Sequence, residues 1–121
     1  MKKIALVLVM VFAVSALFAS PLVLGNFPSG RWMDRNYDAI WEFSPTNIRI
    51  TSPDGHVYFD FSNKTINDFR FYLDGDSPAV TFSCPEAGRT YKFVIQRPEN
   101  DLLMEFDRVN YGKYEVKMRR Y

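Results

Sequence analysis

The chain predicts an all-β fold, an antiparallel up-and-down β-barrel of about eight short strands, and three observations carry that prediction. Apolar and polar residues alternate with a period of two along most of the chain beyond Gly30. Clusters of Pro, Gly, Asn, Asp and Ser interrupt the alternation roughly every ten residues, the spacing of short strands joined by tight turns. Nothing between those clusters has the length or periodicity of a helix.

Taken in order, Gly30-Arg31-Trp32 opens the first strand, and the second, Asp38–Ser44, places Ala39, Trp41 and Phe43 on one face. Ile48 and Ile50 flank Arg49 in a third. Val57, Phe59 and Phe61 alternate with Tyr58 and Asp60, and Phe69, Phe71 and Leu73 alternate with Arg70 and Tyr72. Val80, Phe82 and Cys84 share a face, as do Tyr91, Phe93 and Ile95. The last two strands alternate Leu102, Met104 and Phe106 with Leu103, Glu105 and Asp107, then Tyr114, Val116 and Met118 with Glu115, Lys117 and Arg119. The connections have matching turn chemistry: Ser44-Pro45-Thr46-Asn47, Ser52-Pro53-Asp54-Gly55, Asp74-Gly75-Asp76-Ser77-Pro78, Pro85-Glu86-Ala87-Gly88, Arg97-Pro98-Glu99-Asn100 and Asn110-Tyr111-Gly112. Asn63–Asn67 reads as a longer loop or a single helical turn.

Ahead of this domain, Lys2 and Lys3 precede an uncharged apolar run from Ile4 to Phe18, with small residues at Ala16, Ala19 and Ser20. A basic start, a short apolar middle and small residues at a cut site describe a signal peptide over 1–19, with cleavage after Ala19 or, alternatively, Ala16. The run is shorter than the ~20 residues that cross a bilayer, so a retained anchor is the lesser reading. The expected destination is periplasmic or secreted, and the brevity of the segment has a bacterial look. Residues 20–28 read as a loose lead-in containing Pro and Gly, and residues 29–121 as one barrel domain with no internal boundary.

Loss of Lys2 and Lys3 takes the 15 basic residues to 13, against 14 acidic ones. This near-neutral, interleaved balance leaves no electrostatic footprint for nucleic acid. Once the signal is removed, no segment remains that would cross a membrane. Cys84 is the only cysteine, so no internal disulfide is possible, and packing must supply the stability that bridges give many exported domains. Its alternation with Val80 and Phe82 reads as a buried thiol, with a reactive or dimer-forming cysteine as the lesser reading. The aromatic content suits that task, because each large ring buries much area.

Closure of a barrel requires its first and last strands to pair. In an even-stranded meander, the start of the first strand then meets the end of the last. Arg120 shares parity with Tyr114, Val116 and Met118, so it points toward the apolar side near Trp32. An inward arginine needs a partner, and the Trp32 ring offers a cation–π platform. Gly30-Arg31-Trp32 with Arg120, or with Arg119 as the fallback, resembles the lipocalin or calycin superfamily, including small bacterial lipocalin-like domains. In that family a Gly-x-Trp opens the first strand, and a basic residue of the final strand packs across the tryptophan. The chain departs from full lipocalins in being shorter and in having no terminal helix or paired cysteines. Asn110-Tyr111-Gly112-Lys113-Tyr114 is faintly similar to a second lipocalin motif, but it lies in the last hairpin and reads as a turn.

The search for chemistry finds no catalytic set. His56 follows a turn and reads as solvated, and one histidine with one distant cysteine supports neither a zinc site nor a Cys–His pair. Asp74-Gly75-Asp76 lacks the remaining oxygen ligands of a calcium loop. The strand acids Glu42, Asp60, Glu105 and Asp107 fall on the outward face, and no phosphate-binding glycine loop is present. Asn63-Lys64-Thr65 matches a glycosylation sequon, which has no bearing in a bacterial host. We therefore expect no enzyme activity, metal or cofactor; a hydrolase on a barrel scaffold is the remote third reading.

The resemblance implies a barrel that holds a small hydrophobic ligand. The candidate lining is Trp41, Phe43, Phe59, Phe71, Phe82, Tyr91, Phe93, Met104 and Tyr114, with Trp32 and Arg120 as a structural pair at the barrel end. So many rings set up an opposing expectation, a self-packed core with no usable cavity. The functional alternative is a protein-binding or inhibitor barrel acting through its loops and outer face, where Ile40, Tyr58, Tyr72, Val94 and Leu103 would form a patch if they met. Oligomeric state is left open.

Overall fold

A computed structural model describes residues 22–108 and 110–121. The signal-peptide reading over 1–19 lies outside the described residues. Nine strands follow in chain order: β1 (Gly30–Asp34), β2 (Ala39–Phe43), β3 (Ile48–Thr51), β4 (Val57–Asp60), β5 (Asn67–Asp74), β6 (Ser77–Cys84), β7 (Arg89–Gln96), β8 (Asp101–Arg108) and β9 (Gly112–Arg120). A single 3-10 turn, Phe61–Asn63, stands between β4 and β5. Among the described residues, no helix is long and apolar enough to cross a membrane.

The strands form one antiparallel sheet in the order β4-β3-β2-β1-β9-β8-β7-β6-β5, curled into a half-barrel. The chain ends meet as closure requires: Trp32 stands opposite Arg120, and Met33 opposite Arg119. The opening in the cylinder lies elsewhere, between β4 and β5, which are not paired with each other. Because every observed pairing is antiparallel, β4 and β5 run in the same direction. They act as one strand broken at the 3-10 turn, which reconciles nine strands with the expected eight. Phe61 pins this seam from inside, its ring 4.8 Å from Phe59, 5.5 Å from Phe82 and 5.6 Å from Tyr91. Asp60 caps the turn by accepting from the Ser62 amide and from Asn47 Nδ2, each at 2.9 Å. These hydrogen bonds hold its carboxyl below the usual range. From the other side, Glu86 accepts the Thr65 amide and hydroxyl, tying the link to the β6–β7 turn.

Both free edges are blunted by known devices. β4 is only four residues long, and its pairing with β3 shifts register at Ile50/Thr51. The pairing of β5 with β6 shifts between Asn67 and Arg70, around Asp68 with a φ of 56°.

The core is a cluster of rings from facing walls. Trp41 of β2 lies 5.5 Å from Phe93 and 5.8 Å from Tyr91 of β7, across the interior. Phe82 and Tyr91 each pack within 6.0 Å of Phe93. Cys84 is buried and free, and burial pushes its thiol up. The lead-in corrects the expectation of looseness. Leu22, Leu24 and Phe27 are each no more than 3% exposed, and the Leu24 amide donates to the Pro45 carbonyl at 2.8 Å. Phe27 stacks on Phe43 at 5.4 Å. This segment plugs the end of the half-barrel that carries Gly30 and Arg120.

Candidate functional site

The two ends of the half-barrel differ in construction. At the plugged end Trp32 is fully buried, donates from Nε1 to the Asn100 carbonyl at 3.0 Å, and meets Phe43 edge-on at 5.4 Å. The Arg120 guanidinium lies 5.1 Å from the Trp32 ring centroid and donates to the Ser29 carbonyl at 2.9 Å. Gly30 makes room for this stack, because a Cβ there would stand 3.0 Å from Arg120 Nη2 and 3.2 Å from the Trp32 ring. The glycine and tryptophan of the opening triplet thus serve one contact. This end is solid.

The opposite end, where β1 and β8 finish and β7 begins, holds a cleft of about 220 Å³. Its floor is Trp41, Ile50, Met104 and Phe106, with Ala39 and Tyr37 at the β1–β2 side. Asp34, Arg89 and Arg108 bring charge to it. Asp34 is 2% exposed and is held by neighbours: the Tyr114 hydroxyl donates to Oδ2 at 2.8 Å, and the Asn36 amide donates to Oδ1 at 2.9 Å. Asn36 Nδ2 in turn donates to the Tyr114 oxygen at 2.9 Å. The Arg89 guanidinium lies 4.3 Å from the Phe106 centroid and that of Arg108 lies 5.3 Å from the Tyr114 centroid. Planar cations are thereby laid against rings at the rim.

Of the expected lining residues, the cleft brings together Trp41 and Met104, and Tyr114 stands beside it through Asp34. Phe43, Phe82, Tyr91 and Phe93 lie in the packed ring cluster and do not line it. Phe59 and Phe71 are half-buried on the edge strands β4 and β5. Four charged or polar residues of the cleft, Asp34, Tyr37, Arg89 and Arg108, were not among the sequence candidates. Parity carries a signal for three of them: Asp34 shares a face with Trp32, Arg89 with Tyr91 and Phe93, and Arg108 with Met104 and Phe106. Tyr72 stands opposite Ala79, Ala79 opposite Val94, and Val94 opposite Leu103, but Ala79 and Val94 are buried, so the row corrects the expectation of an exposed outer patch. Ile40 and Tyr58 lie apart from that row, on β2 and β4; Tyr58 is exposed, but Ile40 is fully buried and so contributes to no surface patch. His56 is exposed beside Asp54. Among the described residues, no group of three or more His, Cys, Asp or Glu is placed to hold a metal.

Burial, together with the hydrogen bond and charge of Asp34, outweighs the Asn36 contact and pushes the Tyr114 phenol up to about 12 from 10.0. Between these values the unfolded chain has lost this proton and the folded chain keeps it. The stability that Tyr114 contributes is therefore whole below pH 10 and is lost as pH rises toward 12. Burial raises the Tyr91 phenol as well, so ultraviolet titration at the phenolate band should show a late-ionising component that loses one tyrosine in Tyr114→Phe and moves down in part in Asp34→Asn. An unchanged late component in both variants would count against the hydrogen-bonded pair. Compared with protein-family models, curated proteins and solved structures, the chain matches none.

Proposed function

We propose that this chain is an exported, non-enzymatic lipocalin-like domain of the calycin class that binds a small hydrophobic ligand in the cleft opposite the plugged end. The kinship is supported by Gly30 and Trp32 on β1, the antiparallel pairing of β1 with β9, and Arg120 laid across the Trp32 ring. The binding role rests on one observation, an open cleft floored by Trp41, Ile50, Met104 and Phe106 above a packed core. Its size, about 220 Å³, lies below the range of about 300–1,000 Å³ usual for drug-sized ligands, which favours a small or partly protruding guest.

Native mass spectrometry of the purified protein, followed by displacement of fluorescent probes with fatty acids, retinoids and single-ring compounds, tests the reading. A bound or displacing apolar species is expected; no co-purified mass and no displacement would remove the ligand claim. A protein-binding or inhibitor role is the second reading, favoured by one observation. The edges of β4 and β5 are unpaired, with Val57, Tyr58 and Leu73 more than half exposed. Of the two edges, only β5 beyond its register shift, 70–74, keeps the regular ladder that strand addition requires. Pull-down from periplasmic or culture extract separates the two.

A further inference from the structure

We infer that the ligand of the cleft is a small flat apolar anion, a carboxylate or sulfonate class of compound, whose charged group is held by Arg89 and Arg108. This inference rests on the reading of the cleft as a binding site. The pleat aims both arginines at the interior mouth: Arg89 opens β7 on the face of Tyr91 and Phe93, and Arg108 ends β8 on the face of Met104 and Phe106. Both line the same cleft. Four cations of the sheet pair with carboxylates, Arg31 and Arg49 with Glu42, Lys113 with Glu105 and Lys117 with Asp101. Among the described residues, Arg89 and Arg108 form no such pair, and neither do Arg70, Lys92, Arg119 and Arg120; what sets Arg89 and Arg108 apart is that both line the cleft.

The one carboxylate of the cleft, Asp34, does not fill that place. It is buried, and both its oxygens already accept hydrogen bonds from Tyr114 and Asn36. Two positive charges against one negative leave the mouth net positive. Arg108 is positioned by its own hairpin, donating from Nε to the Gly112 carbonyl at 3.4 Å and from Nη2 to the Tyr111 carbonyl at 3.3 Å. Arg89 lies beside the phenol of Tyr91, which is neutral at physiological pH and gives the guanidinium no counter-charge. Stacking on Phe106 and Tyr114 fixes the guanidinium planes, and a fixed planar fork matches the oxygens of a carboxylate or sulfonate. The floor of Trp41, Met104 and Phe106 suits the apolar face of the same molecule.

The test compares two fluorescent probes with the same fused rings, 8-anilinonaphthalene-1-sulfonate and the uncharged N-phenyl-1-naphthylamine, titrated into the purified protein. The sulfonate is expected to bind about tenfold tighter, and its affinity to fall with added salt. Arg89→Gln and Arg108→Gln should each lower sulfonate affinity roughly tenfold and lower that of the neutral probe far less, so that the ratio between the two probes collapses. Arg70→Gln on β5 should leave both probes unchanged, and circular dichroism confirms that the variants fold. Equal affinity for the two probes, or a sulfonate preference that survives both substitutions, overturns the anion inference and leaves the cleft reading in place. Failure of both probes to bind overturns both.

Discussion

Trp32→Ala is expected to lower the unfolding free energy by about 3–5 kcal/mol, the range for removing a buried large aromatic side chain. The ring is fully buried between Phe43 and Arg120, and its indole N–H satisfies the Asn100 carbonyl across 68 positions of sequence. Removing it opens a void where β1, β9 and the β7–β8 turn meet, and strips the platform from an arginine. Against a typical domain stability of about 5–15 kcal/mol, that loss is large. Urea denaturation of the wild type, Trp32→Ala, Arg120→Ala and the double variant forms a cycle. Coupling of about 0.5–2 kcal/mol is expected, toward the lower end because Arg120 is solvent-facing. Simple additivity of the two substitutions would mean that the stack contributes nothing.

That contact was legible in the sequence because it depends only on strand parity and on which strands must pair. The same rule reaches most of the fold. The runs containing Trp41, Phe59, Phe82, Phe93, Met104 and Tyr114 became strands, and the turn residues between them became turns. What the period of two does not report is position around the cylinder. It assigns Phe71 and Phe93 to the same side, yet β5 is an edge and β7 lies inside the sheet, so Phe71 is half-buried and Phe93 fully buried. Nor does it report depth. Phe43 and Met104 both face inward, but one meets the plug at the closed end and the other lies under the mouth.

The charged rim was missed for a different reason. Arg89, Arg108 and Asp34 sit at strand ends next to turns, where a polar residue reads as solvated unless its parity is followed to the last position. The same argument that places Arg120 at one end places these three at the other. The seam was not legible at all, since it depends on β4 stopping after four residues and on Phe61 turning inward through a 3-10 turn.

Phe27→Ala should produce the second large effect, a loss of about 3 kcal/mol with release of the lead-in from the core. Phe27 is 3% exposed, stacks on Phe43, and lies in a segment whose Leu24 is 1% exposed and anchored to Pro45. No strand pairing holds these residues, so their order depends on the apolar side chains they insert and a few backbone hydrogen bonds. Removing one ring from such a segment opens two routes: the cavity persists, or the whole segment undocks and exposes the face of Phe43. Hydrogen exchange distinguishes them. A Leu24 amide that exchanges faster while the β7 and β8 amides stay protected indicates undocking, a local opening below the global one. Under the proposed export, cleavage after Ala19 would leave Leu22, Leu24 and Phe27, and so the plug, on the processed chain. A stability change under about 1 kcal/mol, well short of the usual aromatic truncation range, with unchanged exchange at Leu24 would show that the half-barrel does not need its plug.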